Sequence, residues 1–443
     1  MHSDFQISRR DFIRRAALAA AATGLPLWYL KEQLGAEEIP APPKDKPNIA
    51  LIGCGGQGRG DTKNAANFGK VIAVCDVDSK RAGEASKQFG DAKVYSDFRK
   101  LLERDDLHAV VNATPDHWHT LVNLAALKAG KDIYSEKPLT LTIDEGRRLV
   151  QAAEKSKRVF QTGSQQRSDA KFRLACELVR NGRIGKLQHV ITSLPAGPNK
   201  GPFEKVPVPP ELDWNTWQGQ TAEHDYMKER CHQTFRYWLD YSGGTMTDWG
   251  AHHNDIALWG IGLERSGPVS IEGKALVAPI PGGYTAPSEY QVDYVYANGV
   301  TQRCQSTVEN NPSGGKGETH RENEIPHGVK FIGSDGWIFV TRGKIDASKP
   351  ELLKDPLTNK QVELYVSNNH MGNFFDCIKS RIAPICDAEI GHRSVSVCHL
   401  GVLAIRLGRK LKWDPAAEQF VDDKEANSYV AREQRKPFDY GMV

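Results

Sequence analysis

The sequence predicts an α/β Rossmann domain built on a parallel sheet, followed by an α+β domain with a large open, mainly antiparallel sheet. Three observations predict it. From Asn48 to about Gly163, short apolar runs alternate with helical stretches; a Gly-x-Gly-x-x-Gly run directly follows the first of them; beyond Gly163, period-two alternation and Asn-Gly and Asp-Gly turns take over. A length of 443 residues fits two or three domains, and 39% hydrophobic with 26% charged residues is ordinary globular composition. Net charge is +3, and residues 1–36 hold five basic and three acidic groups, which leaves +1 for the remainder. That balance argues against a nucleic-acid or polybasic membrane binder. Eight scattered cysteines, with no Cys-x-x-Cys pair, fit neither a disulfide scaffold nor a zinc ribbon.

Residues 8 to 13 read Ser-Arg-Arg-Asp-Phe-Ile, and an Ala-rich, weakly apolar stretch runs from Ala16 to Leu30. This resembles a twin-arginine export signal. The run is shorter than the ~20 residues needed to span a bilayer, so a removable signal fits better than an anchor. An amphipathic helix that stays on the protein is the alternative. Residues 1–36 are read as the signal, with cleavage near Ala36, and 37–46 as a Pro-rich linker. The expected address is periplasmic or otherwise exported, with the twin-arginine translocase as a transient partner. That route carries folded proteins, which reconciles export with free thiols.

The nucleotide-binding domain is placed at 47–163. Strands are expected at Ile49–Ile52, Val71–Cys75, Ala109–Ala113 and Asp132–Tyr134, with a helix over Thr120–Lys128 and another opened by the capping box Thr142-Ile-Asp-Glu145. Gly53, Gly55 and Gly58 form the fingerprint, with Gln57 inside it. Glycine there lets the chain turn tightly and bring backbone amides to a pyrophosphate. Asp76, eighteen residues past Gly58, ends the second strand, where a carboxylate can accept hydrogen bonds from ribose hydroxyls. Its charge repels a 2′-phosphate, so NAD is expected over NADP, although Lys80 and Arg81 soften the preference.

The remainder, 164–443, is assigned to substrate binding and oligomerisation. A helix is expected over Asp169–Arg180, followed by a long irregular insertion from Ala196 to His232, rich in Pro, Gly and Trp. Tyr290 to Tyr296 alternates, Asn298-Gly299 turns the chain into Val300–Thr307, and a second hairpin flanks Ser334-Asp335-Gly336. The Gly-rich loop Asn310–Gly317 reads as a lid or a hairpin tip.

Three further motifs carry chemistry. Ala113-Thr114-Pro115-Asp-His-Trp-His119 and Ser135-Glu136-Lys137-Pro138 end parallel strands, where ligands of open α/β sheets bind. Gly243-Gly-Thr-Met-Thr-Asp248-Trp-Gly250-Ala-His252-His-Asn-Asp255 sets a carboxylate and an imidazole four residues apart, on one face if helical. A zinc site built from His117, His119, His252 and His253 is disfavoured, because the segments are distant and no cysteine accompanies them.

This set resembles the Gfo/Idh/MocA family of sugar-linked oxidoreductases. A closer likeness, through Arg-Tyr-Trp238, Gly391-His-Arg-Ser394 and Cys398-His-Leu-Gly401, is to exported members from carbohydrate-degrading bacteria. The resemblance implies a nicotinamide near Thr114 and Pro115, with His119 and Glu136 around the cofactor. It also places Lys137 between cofactor and substrate, and Asp248 and His252 against the hydroxyl being oxidised. A homo-oligomer built through the open sheet is implied too. Chemically, His252 can take the hydroxyl proton, Lys137 can stabilise developing alkoxide, and Asp248 can orient the imidazole or bind a neighbouring hydroxyl. His253 competes with His252 for the role of base. Gln165 is a candidate for nicotinamide contact, Arg167, His253 and Asp255 for substrate contact, and Tyr237 and Trp238, with Trp214 and Trp217, for a sugar-stacking wall. Three functional classes remain: an NAD-dependent carbohydrate oxidoreductase, a glycosidase working by transient oxidation, elimination and re-reduction, and a non-catalytic sugar-binding protein.

Overall fold

The computed structural model describes residues 23–26, 28–30, 46–307, 326–358 and 360–443. The Ser8–Ile13 motif and the Asn310–Gly317 loop lie outside them. Six parallel strands form the first sheet: β1 (Asn48–Ile52), β2 (Lys70–Cys75), β3 (Lys93–Tyr95), β4 (Ala109–Asn112), β5 (Asp132–Ser135) and β6 (Phe160–Thr162). Their order is β3-β2-β1-β4-β5-β6. Strand order therefore reverses between β1 and β4, the crevice where such sheets bind ligands. The four expected strands are present. β3 and β6 escaped sequence reading because each is only three residues long, too short for a periodic signal. Thr142 caps its helix as expected, its hydroxyl accepting from the Glu145 amide at 3.3 Å.

Both faces of this sheet are buried. Ala50, Ile52 and Val110 pack with Leu121 and Leu149 on one side, and Ile49, Leu51 and Val111 with Phe374 and Phe375 on the other. Phe374 and Phe375 belong to the helix His370–Ser380, and Phe438 from the C-terminal segment joins the first cluster. The second half of the chain thus returns three times to complete the nucleotide-binding domain, since Ala388 and Val395 of the helix Ala388–Leu407 join the first cluster as well, so a single cut near Gly163 does not separate the two cores.

The second sheet holds β7 (Leu187–Pro195), β8 (Ser270–Ala275), β9 (Tyr290–Val295), β10 (Thr301–Thr307), β11 (Gly328–Gly333), β12 (Trp337–Thr341), β13 (Lys344–Ala347), β14 (Leu411–Asp414) and β15 (Gln419–Phe420). The order is β13-β12-β11-β7-β10-β9-β8-β14-β15. Only the β7–β10 pair is parallel among the described pairings. Helices Ala170–Arg180, Gly250–Ile261 and Ala388–Leu407 contribute the residues that bury one face. On the other face Gln291, Asp293, Arg303 and Gln305 stay partly exposed, the alternation expected of a half-buried sheet. All eight cysteines are buried and unpaired.

Leu25, Tyr29 and Leu30 belong to the second domain's core, with Tyr29 fully buried. The buried Arg173 side chain donates from Nε to the Tyr29 hydroxyl at 2.9 Å. These residues precede the boundary placed at Ala36, yet they fill space in the fold.

Candidate active site

A cavity of about 660 Å³ opens at the carboxyl ends of β1, β2 and β4. Its floor is the glycine loop. A Cβ at Gly53 would sit 2.5 Å from the backbone of Ala113 and Thr114, and Gly53 has φ +92°; at Gly58 a Cβ would sit 2.2 Å from the Gly53 carbonyl oxygen. Gly56, which opens the helix Gly56–Ala65, faces free space, so the first amides of that helix are open to an anion. This cradle fits a pyrophosphate, and NAD is a dinucleotide of the right class. Asp76 accepts from the Cys54 amide at 2.6 Å and from the Asp78 amide at 2.9 Å. It therefore ties the glycine loop to the turn after β2, besides facing the cavity it lines. Burial raises its carboxyl above the usual range.

Thr114 and Pro115 line the same cavity, where β4 gives way to the helix Asp116–Lys128. The Thr114 hydroxyl is fixed by Asn112 Oδ1 at 2.8 Å. His119 is a strut rather than a free ligand contact: its ring nitrogens lie 2.7 Å from the Pro138 carbonyl and 2.8 Å from the Thr114 carbonyl. Burial pushes its pKa down to about 4, so the ring is neutral at ordinary pH and donates to only one of the two carbonyls while it fills the space between the Thr-Pro and Glu-Lys-Pro loops.

Glu136 meets a partner that sequence reading missed. Asp61, one turn past Gly58, hydrogen-bonds to it through the side chains, and Gln57 Nε2 donates to Asp61 at 3.0 Å. Burial raises both carboxyls, Asp61 to about 6 and Glu136 well above its usual value, so the pair shares a proton. Gly163 leaves room for it, because a Cβ there would lie 2.2 Å from Glu136 Oε1. Gln165 reaches the same carboxylate at 3.4 Å.

Lys137 points into the second domain. Its Nζ donates to Asp248 Oδ1 at 2.6 Å and to the Asp248 carbonyl at 3.1 Å, which leaves one ammonium hydrogen. Arg236 Nε donates to the same carboxylate oxygen at 3.3 Å. Although burial pushes the Asp248 carboxyl up, these two cations outweigh it and bring it to about 2. In the sequence Arg236 stands out only as part of the Arg-Tyr-Trp238 likeness, with no role at the site. Thr245–Asp248 and Gly250–Ile261 are separate helices that meet at Trp249, and His252 follows in the first turn of the second.

Burial, then the charges of Lys137 and Arg342, hold the His252 imidazole well below its ordinary pKa. Its Nδ1 is buried without a hydrogen-bond partner. His253 differs. Its Nε2 lies 3.0 Å from His327 Nε2, and Gln166, oriented to satisfy its neighbours, donates to His253 Nδ1 at 3.3 Å. Both nitrogens of His253 are thus engaged by protein groups, so the structure does not offer it to substrate.

Four further assignments change. Arg167 and Asp255 bind each other through two hydrogen bonds of 2.7 and 2.8 Å, and both are almost fully buried. A pair closed in this way is a structural tie between the segment after β6 and the helix Gly250–Ile261, not a substrate contact. Trp238 is 2% exposed, donates to the Glu229 carbonyl at 2.7 Å and packs against Phe203 and Tyr284, so it is core of the insertion. Trp214 is buried in the same cluster, whereas Trp217 reaches the cavity wall. Tyr237 remains near Asp248, whose charge adds to burial in raising its phenol.

Two family models match: the oxidoreductase family NAD-binding Rossmann fold over residues 47–164, and the oxidoreductase family C-terminal alpha/beta domain over 197–440. The chain belongs to the Gfo/Idh/MocA oxidoreductase family. Its nucleotide-binding domain is accordingly an NAD-binding one, in agreement with the glycine cradle. Among curated relatives of this Gfo/Idh/MocA chain, myo-inositol 2-dehydrogenase of Thermotoga maritima is 29% identical over 233 residues, 51% of this chain and 59% of that protein. A glycosyl hydrolase family 109 protein of Solibacter usitatus is 33% identical over 201 residues, 41% and 44% of the two chains. The chain thus spans about half the length of the curated relatives it matches. Solved structures share the fold: levoglucosan dehydrogenase in complex with NADH and levoglucosan has a TM-score of 0.60 at 18% identity, and aldose-aldose oxidoreductase from Caulobacter crescentus a TM-score of 0.61 at 18% identity. Each comparison covers 83% of this chain and 99% of the other.

Proposed function

We propose that this protein oxidises a hydroxyl-bearing carbon of a sugar or glycoside, working outside the cytoplasm after twin-arginine export and assembling with copies of itself through the open sheet face. The observation that carries the reading is the Lys137–Asp248 pair, with Lys137 lining the glycine-loop cavity and a neutral His252 close enough to feel the Lys137 charge. Bound NAD supplies the hydride acceptor. Lys137, fixed by Asp248, directs its remaining ammonium hydrogen at the hydroxyl oxygen and stabilises negative charge as the proton leaves. Neutral His252 offers Nδ1 to that proton. Asp248 stays ionised and holds the ammonium in place. The names of the inositol and levoglucosan dehydrogenases among its relatives and structural neighbours support a polyhydroxylated substrate.

A second reading rests on the family 109 glycosyl hydrolase relatives: oxidation of a ring carbon, elimination of the glycosidic substituent through the acidified neighbouring C–H, and re-reduction. Incubating purified protein with a glycoside panel, while following bound-cofactor absorbance and released aglycone, separates the two. Reduced cofactor without aglycone release supports the oxidoreductase; aglycone release with no net cofactor reduction supports the glycosidase; no response to any sugar overturns both.

A further inference from the structure

The insertion that the sequence left unassigned crosses the cofactor groove and is fastened on both sides of it. On the β2 side, the Glu211 carbonyl accepts from the Ser79 amide at 2.9 Å, the Asp213 amide donates to the Val77 carbonyl at 3.0 Å, and Leu212 forms a β-bridge with Asp78. On the β4 side, Trp118 Nε1 donates to the Thr216 and Trp217 carbonyls, both at 3.0 Å. Gln220 Nε2 donates to the His117 carbonyl at 2.8 Å. β1 and its glycine loop lie between these two sides, since the sheet order there is β2-β1-β4. The cavity is correspondingly lined from below by Gly53 to Gly58 and Asp76, and from above by Asp213, Thr216 and Trp217.

A third fastening comes from the C-terminal segment. Arg435 donates from Nε to the Gly219 and Thr221 carbonyls at 3.1 and 3.0 Å, and from Nη2 to the Asn215 carbonyl at 2.9 Å. Its own amide donates to the Gln220 carbonyl at 2.9 Å. Gly219 sits at φ +55° against Trp118, where a Cβ would come within 2.6 Å of the indole. The crossing therefore has little freedom to lift as a loop. Opening it breaks several hydrogen bonds together.

We propose that residues 211–221 are a strap that retains NAD in the protein between turnovers, with Arg435 and Gln220 as its fasteners. A dinucleotide lying on the glycine loop passes beneath this crossing and leaves only when the strap detaches or the ligand slides out lengthwise. Retention deepens the proposed function, because a cofactor that does not exchange must be returned to its starting oxidation state in place. It rests on NAD binding and not on which sugar is used.

The test measures exchange of bound NAD against isotopically labelled NAD by mass spectrometry, on the full chain. The unmodified protein should retain NAD through gel filtration, and Arg435→Ala with Gln220→Ala should speed exchange at least about tenfold, the factor corresponding to one or two lost hydrogen bonds. Hydrogen exchange provides the second measurement: NAD should slow exchange at the amides of 211–221. Loss of NAD from the unmodified protein on gel filtration overturns the proposal. So does wild-type exchange in a folded double variant, or, if that variant does not fold, unaltered amide exchange in the strap on adding NAD. Because no sugar enters these measurements, failure here is distinct from failure of the sugar oxidoreductase reading.

Discussion

Lys137 and Asp248, 111 residues apart in the chain, meet at 2.6 Å across the junction of the two domains. The contact joins the Glu-Lys-Pro loop after β5 to the short helix before His252, so it aligns the cofactor half of the site with the substrate half. Lys137→Ala is expected to slow hydride transfer about 10²–10³-fold, the size of effect seen when one aimed donor is removed from an oxyanion. Asp248→Asn should slow the same step less, since the ammonium stays but loses its anchor. Single-turnover kinetics on NAD-loaded protein check both.

His252→Ala should cost about 10²–10⁴ in the same rate with cofactor affinity nearly unchanged, as a positioned base is typically worth that much. His253→Ala is the control and should leave the chemical step closer to normal, because its nitrogens already face His327 and Gln166. The reverse result assigns the base to His253.

The pH profile follows from the environment of His252. A free imidazole near its reference value would give a decline in rate below about pH 6.5. Burial and neighbouring cations depress this one, so the neutral, proton-accepting form persists to lower pH and the acid limb should fall well below that value. Hydride-transfer rates measured from about pH 5 upward should therefore show no fall centred near about pH 6.5.

Stability should fall on acidification. Ten described histidines are held below their ordinary pKa, among them His117 at about 3 and His119, His370 and His399 at about 4, mainly through burial. The unfolded chain takes up these protons near about pH 6.5 and the folded chain does not. Five raised carboxyls, at Asp61, Asp76, Asp116, Glu136 and Asp255, act in the opposite direction but are fewer. The thermal midpoint should therefore drop progressively as pH falls from about 6.5 toward 4, which a buffer series in scanning calorimetry will show.

The N-terminus yields a pair of expectations. Replacing Arg9 and Arg10 by Lys should trap the protein in the cytoplasm, as read by fractionation. Deleting residues 1–36 should lower the thermal midpoint, because it removes Tyr29 and uncovers the Arg173 guanidinium that donates to it. A truncated protein as stable as the full chain argues that this packing contributes little.

Asp76→Ala should narrow the preference for NAD over NADP and weaken both, since the carboxylate also holds the Cys54 amide of the glycine loop. Calorimetric titration with each cofactor measures the two effects separately.

By itself the sequence determined four of the six strands of the nucleotide-binding sheet, its glycine loop, and the three residues at the domain junction. Each of these is written locally: strands as apolar runs, glycines where backbone must approach a phosphate, and Glu-Lys-Pro where a strand ends. Tertiary structure alone decided which polar groups are available. Arg167 and Asp255 read equally well as ligands until their mutual pairing closes them, and His252 is separated from His253 only by what each ring meets. Asp61 and Arg435 carry no local pattern, because a lone charged residue on a helix or loop looks like solvated surface until the chain brings its partner close. The strap was legible only as an irregular insertion. Its fastenings are mainly bonds to backbone carbonyls and amides from residues 77 to 435, and backbone bonding over such separations leaves little imprint on residue type.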